Sequence, residues 1–468
     1  MENKRIHIIQ FCLFLALCSC TGQLELSPIT DKEAGNFFKT EQEMEEAVNG
    51  TYASLQFTGL YNLYLPVLGE IPSDNTFDEV PANDEGNYGQ LDEFTVITSN
   101  SIITRTWKDS YISIQRANTV LHRLPNVVYA DQSTKESRKG EMYFIRALNY
   151  FNLVRIYGDV PLVTEETENP ASFFGKGRNA TSAVYEQIIA DLKNAIVALP
   201  LKALAPGRVS RGAAQALLGK VYLTLGNWAN AESYLLEVLN SGEYQLLEDL
   251  SDIFSESQEN NQEIIFSVQF TQAINGNTEG SDAFQQFSPS GTINGAKGHN
   301  LPTRALYALM SDSDKRKSAY LGVTSEGVPF NKKYQKPSSA PNDGGGNWVV
   351  LRYADVLLML AEIENELGNT AQAINYLNRI RERAGLSDIQ PQEQSKLRET
   401  VAQERRFELI GEGHRWFDLL RYGTAIETMN AYFKNQKINI SIQENNLLMP
   451  VPQSQIDTDP AIAQNPGY

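Results

Sequence analysis

The sequence predicts a mostly α-helical protein, in which helix pairs form a single body that carries long irregular loops and minor β-hairpins. Apolar residues recur at helical spacing through most of the 468 residues. One helix-turn-helix pattern occurs twice. Three stretches between the helices are rich in Gly, Pro, Asn and Asp, which is typical of loops.

The first twenty residues have the pattern of a bacterial lipoprotein signal. Lys4 and Arg5 form a positive segment, and residues 6–17 are mostly apolar but too few to span a bilayer as a permanent helix. A leucine three residues before Cys20, with Ser19 directly before it, resembles a bacterial lipobox. This resemblance implies cleavage before Cys20 and lipidation of Cys20. The alternative is an ordinary secretory signal peptide that ends nearby.

Cysteine content and charge limit the chemistry and the partners. All three cysteines lie within the first 20 residues, so the mature chain keeps only Cys20 and forms no disulfide. The net charge is -17, and loss of the signal makes it one unit more negative. Such a field repels nucleic acid and anionic lipid headgroups. We therefore predict no nucleic-acid partner and a membrane contact through the lipid anchor only.

Helical spacing predicts a succession of helices along the mature chain. The first follows Thr40, a plausible N-cap. Three stretches without this spacing, residues 69–100, 270–300 and 337–347, are predicted loops. The predicted helices cover residues 40–55, 107–124, 141–157, 183–199, 208–225, 228–239, 349–367, 370–383, 394–410 and 414–430.

The helix predicted over residues 141–157 is the one around which the others are expected to pack. Its apolar residues nearly encircle it, and its polar residues after Glu141 trace one narrow stripe. A helix that is apolar on most sides is buried on most sides. Gly158 can end it with a positive φ, and Pro161 cannot continue it.

One internal repeat is visible. The segment that begins Leu225-Gly226-Asn227 matches the segment that begins Leu367-Gly368-Asn369, and both continue with two alanines and a Tyr-Leu pair. The first copy follows Leu218-Gly219-x-x-Tyr222, which resembles the tetratricopeptide pattern. Two copies 142 residues apart do not make a regular array, so we predict tetratricopeptide-like helix pairs interrupted by large insertions.

No established catalytic motif is present. The sequence has no Gly-x-Ser-x-Gly elbow, His-Glu-x-x-His motif, phosphate loop or Cys-x-x-Cys pair. We therefore predict no enzyme, no catalytic residue, no metal ligand and no cofactor. Glu404-Arg405-Arg406-x-Glu408 and the segment from Glu412 to Arg421 are dense in opposite charges at helical spacing. We interpret them as a structural ion network, with catalysis as the alternative.

An ordered set of motifs runs through the chain and, with the lipobox, resembles the SusD/RagB family of nutrient-binding outer-membrane lipoproteins of Bacteroidetes. It includes Glu46-Ala-Val-Asn-Gly-Thr-Tyr52, Ser73-Asp-Asn75, Arg146-Ala-x-x-Tyr-Phe, Gly158-Asp-Val-Pro-Leu162, Leu351-Arg-Tyr-Ala-Asp355, Gly413-x-Arg-Trp-Phe-Asp-Leu419 and Gln464-Asn-Pro-Gly-Tyr468. The resemblance implies a mostly helical body with four tetratricopeptide-like helix pairs. It also implies a non-enzymatic protein that caps a SusC-type TonB-dependent transporter and holds glycans or, in the RagB branch, peptides.

On this basis we expect an oligosaccharide-binding lipoprotein of the outer membrane, facing the cell surface. The alternatives are a peptide-binding RagB-like importer subunit and a glycan hydrolase. The predicted segments are a signal peptide (1–19), a lipidated tether (20–35), an N-terminal SusD-like half (36–260) and a C-terminal SusD/RagB-like half (261–468).

The ligand-binding site is predicted where the 69–100 and 270–300 loops meet. Aromatic rings can stack on the C–H face of a sugar, and amides and carboxylates can bind its hydroxyls. For each candidate taken alone, packing is the favoured role over ligand contact. The binding hypothesis assumes that the rings lie off the core, so that their truncation costs little stability. The candidate ligand-binding residues are Asn75, Phe77, Asp78, Tyr88, Phe284, Gln285, Phe287 and Trp348.

Overall fold

The computed structural model describes residues 37–273, 279–334 and 340–468. Helices make up 53% of the described residues and strands 6%. This helix content is well above the roughly one-third of average globular proteins. The predicted mostly α-helical class is therefore confirmed. The signal segment, Cys20 and the predicted tether lie outside the described residues.

The α-helices of the described ranges follow the predicted succession, except that the helix predicted over residues 414–430 is divided in two, because Gly423 ends the first part with φ +69°. Short helices lie between the long ones. The first eight are α1 (Glu41–Ser54), α2 (Tyr64–Glu70), α3 (Asn87–Asp92), α4 (Ser101–Arg123), α5 (Gln132–Tyr157), α6 (Thr181–Ala198), α7 (Arg211–Thr224) and α8 (Trp228–Asn240). The others are α9 (Ala283–Gln286), α10 (Arg304–Leu309), α11 (Lys315–Tyr320), α12 (Tyr353–Glu366), α13 (Thr370–Arg383), α14 (Gln394–Glu408), α15 (Arg415–Tyr422), α16 (Ala425–Gln436) and α17 (Gln453–Thr458).

The long helices pack as four pairs. Helix α1 packs on α4, α5 on α6, α7 on α8, and α12 on α13. Neighbouring pairs touch through α4 and α5, through α6 and α7, and through α8 and α12. The four helix pairs implied by the family resemblance are therefore present. The long insertion between α8 and α12 holds most of the strands and α9 to α11.

The two repeat copies form equivalent helix–helix turns. Gly226 follows the end of α7 and has φ +67°, and Gly368 follows the end of α12 and has φ +85°. Positive φ values of this size favour glycine. In the first copy the N–H of Asn227 donates to the carbonyl of Tyr222 at 2.9 Å, and the equivalent bond of the second copy is 2.7 Å long. This is the hydrogen bond that closes a Schellman motif, so the repeated glycine marks a helix C-terminus in both places.

Helix α5 is the buried centre that the sequence predicts. Tyr150, Phe151 and Tyr157 are at most 1% exposed, and Gly158 ends the helix with φ +73°. The helix begins nine residues earlier than predicted, because the Asp131 carboxylate accepts two backbone N–H groups and caps a polar first stretch.

Polar residues of α5 have partners inside the core. The Arg146 guanidinium lies 2.6 Å from the Asp191 carboxylate on α6, and Asn149 Nδ2 donates to Ser113 Oγ on α4 at 3.0 Å. Buried polar groups are stable only when they are hydrogen-bonded. The narrow polar stripe therefore joins α5 to its two neighbours.

The strands form three two-stranded antiparallel sheets in the described ranges. Only β4 and β5 follow each other as a hairpin, while β1 pairs with β3 and β2 with β6 across long stretches of chain. The strands are β1 (Thr76–Phe77), β2 (Ile264–Val268), β3 (Leu301–Pro302), β4 (Leu321–Val323), β5 (Pro329–Asn331) and β6 (Trp348–Arg352).

The charge-dense C-terminal segments form a buried ion network. The Arg352 guanidinium at the end of β6 is 2.8 Å from both Glu408 and Glu412 and 3.0 Å from Glu263. All four side chains are at most 1% exposed. The contacts join β6, the residue before β2 and the end of α14, which agrees with the structural interpretation of these charges.

Candidate ligand-binding site

The predicted loops 69–100 and 270–300 meet through backbone and side-chain contacts. Strand β1 pairs with β3, and the N–H of Glu79 donates to the carbonyl of Gly298 at 2.9 Å. The Glu79 carboxylate accepts the N–H of Ser290 at 2.7 Å. We call this contact region, formed by residues 73–92 and 279–303, the loop junction.

His299 lies at the centre of the loop junction and is fully buried. Its Nδ1 is 2.8 Å from Asp78 Oδ1, and its Nε2 is 3.0 Å from Asp84 Oδ2. The ring of Tyr88 is stacked on the imidazole at 3.6 Å. Partial burial alone would raise the pKa of Asp84, but hydrogen bonds from Lys297 and His299 lower it. Two candidate residues therefore already contact His299: Asp78 through a hydrogen bond and Tyr88 through ring stacking.

Three further aromatic candidates, Phe284 and Phe287 of the second loop and Trp348 of β6, are also buried. Trp348 is stacked on Tyr334 with 4.0 Å between ring centroids, and Phe287 meets Trp348 edge-on at 6.5 Å. Phe284 is 8% exposed. The contact between Phe287 and Trp348 packs the end of α9 against β6.

The remaining candidates hold the loops to the scaffold. Asn75 Oδ1 accepts a hydrogen bond from Arg406 Nε at 2.7 Å. Gln285 Oε1 accepts the N–H of Asn342 at 3.2 Å. Phe77 is half-buried in β1.

The structure corrects one assumption about these residues. The rings of Tyr88, Phe284 and Phe287 do not lie off the core, because all three are buried, and Tyr88 and Phe287 pack in the main hydrophobic core. Their truncation therefore affects folding. That the eight candidate residues contact a ligand stays a prediction.

A polar cavity of about 400 Å³ adjoins the loop junction. We call it the site cleft. It lies between the end of α1, the irregular helical turn Thr58–Asn62, helix α4 and the segment before α9. Its lining residues are Ala53, Gln56, Phe57, Thr58, Asn62, Arg105, Glu279, Gly280, Asp282 and Asn342.

Close packing at Gly59 shapes one wall of the site cleft. A Cβ at this position would lie 2.4 Å from the backbone carbonyl of Arg105, so only glycine lets the turn approach α4 so closely. The N–H of Gly59 donates to Asp109 Oδ2 at 3.0 Å. This approach brings Phe57 and Arg105 to the same cavity.

The site cleft contains both signs of charge. Arg105 Nε lies 2.7 Å from Asp109 Oδ2, and the Arg105 side chain is 51% exposed. Burial raises the pKa of Asp282 to about 6, although a hydrogen bond with Asn62 opposes the shift. Planar polar groups of this kind bind hydroxyls, amides or carboxylates.

Sequence reasoning missed the main groups of the site cleft. Phe57 and Arg105 come from predicted helical regions or their edges, where packing is the ordinary interpretation. Gly59, which interrupts an apolar run, was the available signal for a special backbone approach. Nothing local in the sequence indicates that Asp282 and Arg105 line one cavity.

The described ranges contain neither a metal-binding cluster nor a membrane-spanning helix. No group of three or more His, Cys, Asp or Glu residues there is placed to hold a metal ion. No described helix is both long and apolar enough to cross a membrane.

Two family models match the chain in order. Residues 24–223 match the model described as "Starch-binding associating with outer membrane", and residues 307–468 match the "SusD family" model. One match falls mainly in each predicted half, 36–260 and 261–468, while the boundary between the halves stays a prediction. SusD-like protein P2 of Formosa agariphila is 27% identical over 99% of this chain and 100% of its own length.

Solved structures give the same relationship. A protein described as a laminarin binding SusD-like protein is 28% identical, with TM-score 0.80, over 92% of this chain and 100% of its own. A SusD superfamily protein of Parabacteroides distasonis is 28% identical, with TM-score 0.79, over 91% and 99%. From the ordered matches and the four helix pairs, the chain belongs to the SusD/RagB family.

Proposed function

We propose that this protein binds oligosaccharides in the site cleft and delivers them to a SusC-type TonB-dependent transporter. The lining of the cleft carries the proposal, because it combines the ring of Phe57, the guanidinium of Arg105 and the carboxylate of Asp282. Sugar hydroxyls both donate and accept hydrogen bonds, and an aromatic ring offers a surface to the C–H side of a sugar. A peptide site relies on apolar side-chain pockets, so the polar lining favours the sugar.

The relatives support the same ligand class. The 28% identical solved structure is described as binding laminarin, and the N-terminal family model is described as starch-binding. Both polysaccharides are polymers of glucose. We therefore propose glucan oligosaccharides as the first ligands to test.

Isothermal titration calorimetry with laminarihexaose and maltoheptaose tests the site. In the Arg105→Gln variant we expect the affinity of the better ligand to fall roughly 10- to 100-fold, because a hydrogen bond to a charged group contributes about 1.5–3 kcal/mol. The control is Lys396→Ala, which removes an exposed cation that pairs with exposed Glu399. Equal affinities of Arg105→Gln and the parent protein would place the site elsewhere.

Binding is proposed to be reversible and without bond cleavage. After each titration the oligosaccharide is recovered and its length determined by mass spectrometry. An unchanged length supports a binding protein. Shortened products in the presence of the parent protein would support the hydrolase alternative instead.

The proposal for the membrane is a lipid anchor on Cys20, with the protein on the outer membrane and facing the cell surface. It draws on the signal pattern and on the outer-membrane association in the family description. We expect mass spectrometry of the membrane fraction to show an acylated residue 20. A Cys20→Ala protein that remains membrane-bound without the lipid would contradict the anchor.

A further inference from the structure

A second cavity of about 400 Å³ lies directly beside the site cleft. It occupies the space between the C-terminal half of α1 and the end of β2. Ala53, Gln56 and Glu279 line both cavities, so the two share a wall. Residues that line only the second cavity include Asn49, Gly50, Tyr52, Phe266 and Gln269.

The shared wall includes hydrogen bonds from a single amide. Gln56 Nε2 donates to the backbone carbonyl of Gln269 at 2.8 Å and to Glu279 Oε2 at 2.9 Å. The first bond is partly buried and orients the amide. The second is exposed to solvent, so water or a ligand hydroxyl competes for both of its groups.

A sugar hydroxyl can replace the exposed bond without leaving a polar group unpaired. A hydroxyl offers one donor and two acceptor positions. It can accept from Gln56 Nε2 while it donates to the Glu279 carboxylate. The Gln56 amide and the Glu279 carboxylate can therefore both bind a sugar unit that lies across the wall.

The second cavity has the groups that a further sugar unit needs. Its wall includes the half-buried ring of Tyr52, with the buried side chains of Leu55 and Phe266 behind it in the lining. Asn49 is exposed, and its Oδ1 accepts a hydrogen bond from Arg208 Nη2 at 2.6 Å, which fixes the orientation of its amide. Amides beside apolar surface repeat the chemistry of the site cleft.

We propose that the site cleft and the second cavity bind one oligosaccharide that crosses Gln56, so that the ligand is a chain of several sugar units. This inference rests on the proposed function and adds a second subsite to it. A disaccharide occupies one cavity only. A longer chain occupies both, and its affinity is correspondingly higher.

Gly50 provides a way to close the second cavity alone. It lines that cavity and not the site cleft. It lies inside helix α1, and no neighbouring atom is within 4 Å of the position that its Cβ would take. A large side chain at position 50 therefore extends into open space. Replacing glycine within a helix also favours the helical conformation.

The experiment is calorimetry of the parent protein, Gly50→Trp and Gly50→Ala with laminari- and malto-oligosaccharides of two to seven units. For the better series, we expect the parent protein and Gly50→Ala to bind the longest oligosaccharide at least about tenfold more tightly than the disaccharide. Gly50→Trp should bind the disaccharide normally and lose most of this gain. Gly50→Gln is a smaller obstruction that serves if the tryptophan variant does not fold.

The outcomes separate the two proposals. Unchanged long-chain affinity in a folded Gly50→Trp or Gly50→Gln protein would overturn the second subsite and leave the proposed function intact. Equal affinity of the parent protein for short and long chains would overturn it as well. Failure of the parent protein to bind any oligosaccharide of either series would contradict the proposed function itself, and the second subsite with it.

Discussion

The ring of Tyr88 lies flat on the imidazole of His299, with 3.6 Å between ring centroids and 7° between the ring planes. Both nitrogens of that imidazole lie within 3.0 Å of a carboxylate, Asp78 on one side and Asp84 on the other. The stack joins α3 to the segment that leads into β3. It therefore holds together the two loops on which the site cleft borders.

We first predict that Tyr88→Ala destabilises the protein by about 3 kcal/mol or more. Tyr88 is 4% exposed, and truncation of a buried aromatic ring loses its burial and leaves a cavity. Urea unfolding measures the free energy of unfolding. The control is Tyr88→Phe, which keeps the stacked ring and should change stability by less than about 1 kcal/mol. A similarly small loss for the alanine variant would mean that the ring is not part of the core.

The second prediction concerns Glu70, the last residue of α2. Its side chain is fully buried, and its Oε1 accepts the N–H groups of Gly413 and His414 at 2.9 and 3.1 Å. Burial raises the pKa of Glu70 from its ordinary 4.5 to about 7, although these hydrogen bonds oppose the shift. The folded protein therefore binds this proton more tightly than the unfolded chain.

The sign of the effect follows from that difference. The stabilisation from protonated Glu70 is fully present below pH 4.5 and is lost as the pH rises through about 7. Between these limits we expect the parent protein to lose about 3 kcal/mol more stability than Glu70→Gln, at about 1.4 kcal/mol per pKa unit. The measurement is urea unfolding of both proteins from pH 4.5 to 7.5. Parallel pH profiles would be evidence against a protonated Glu70.

Third, we predict that Phe57→Leu weakens oligosaccharide binding more than it weakens folding. Phe57 is half-buried at the site cleft, with the Arg116 guanidinium 5.1 Å from its ring centroid. Leucine keeps much of the apolar bulk but has no flat face. Base–aromatic stacking, a comparable contact, contributes about 1–3 kcal/mol, so the dissociation constant should rise roughly 5- to 150-fold.

Calorimetry with the better of laminarihexaose and maltoheptaose measures this change, and thermal unfolding serves as the control for the fold. A Phe57→Tyr variant keeps the flat ring and should bind like the parent protein. If Phe57→Leu and Phe57→Tyr bind equally well, the ring of Phe57 is not a sugar platform.

The scaffold could be predicted from the sequence because its signals are local. A glycine that ends a helix with positive φ needs no distant partner to be recognised, and Gly226 and Gly368 both have this role. The apolar circumference of α5 likewise indicates burial before any neighbour is known. Such patterns depend on the periodicity of one segment alone.

The site could be predicted only in part, because it depends on long-range packing. The meeting of the two long loops was predicted, but the side chains that face solvent there were not. The binding hypothesis places Tyr88 off the core, whereas Tyr88 is buried and its ring stacks on His299, which is more than 200 residues away. Arg105 and Asp282 reach one cavity from different elements. No residue spacing within either segment indicates that these two side chains line the same cavity.

The last prediction tests the ion network at Arg352. Its guanidinium contacts Glu408 and Glu412 at 2.8 Å and Glu263 at 3.0 Å, and none of these groups is more than 1% exposed. Burial alone would lower the pKa of Arg352, but the nearby carboxylates of Glu412 and Glu408 hold it well above its ordinary value. Truncation to alanine therefore leaves three carboxylates in the core with fewer cations. Removing one partner of a buried ion pair typically costs about 3–5 kcal/mol.

We accordingly expect Arg352→Ala to lower the free energy of unfolding by at least about 3 kcal/mol in urea denaturation at pH 7. The matched control is Arg398→Ala, which breaks an ion pair with Glu366. The Arg398 side chain is 49% exposed. Solvent screens that pair, so its loss should cost less than about 1 kcal/mol. An Arg352→Ala protein that unfolds like the Arg398→Ala control would show that the buried charges do not hold β6 to α14.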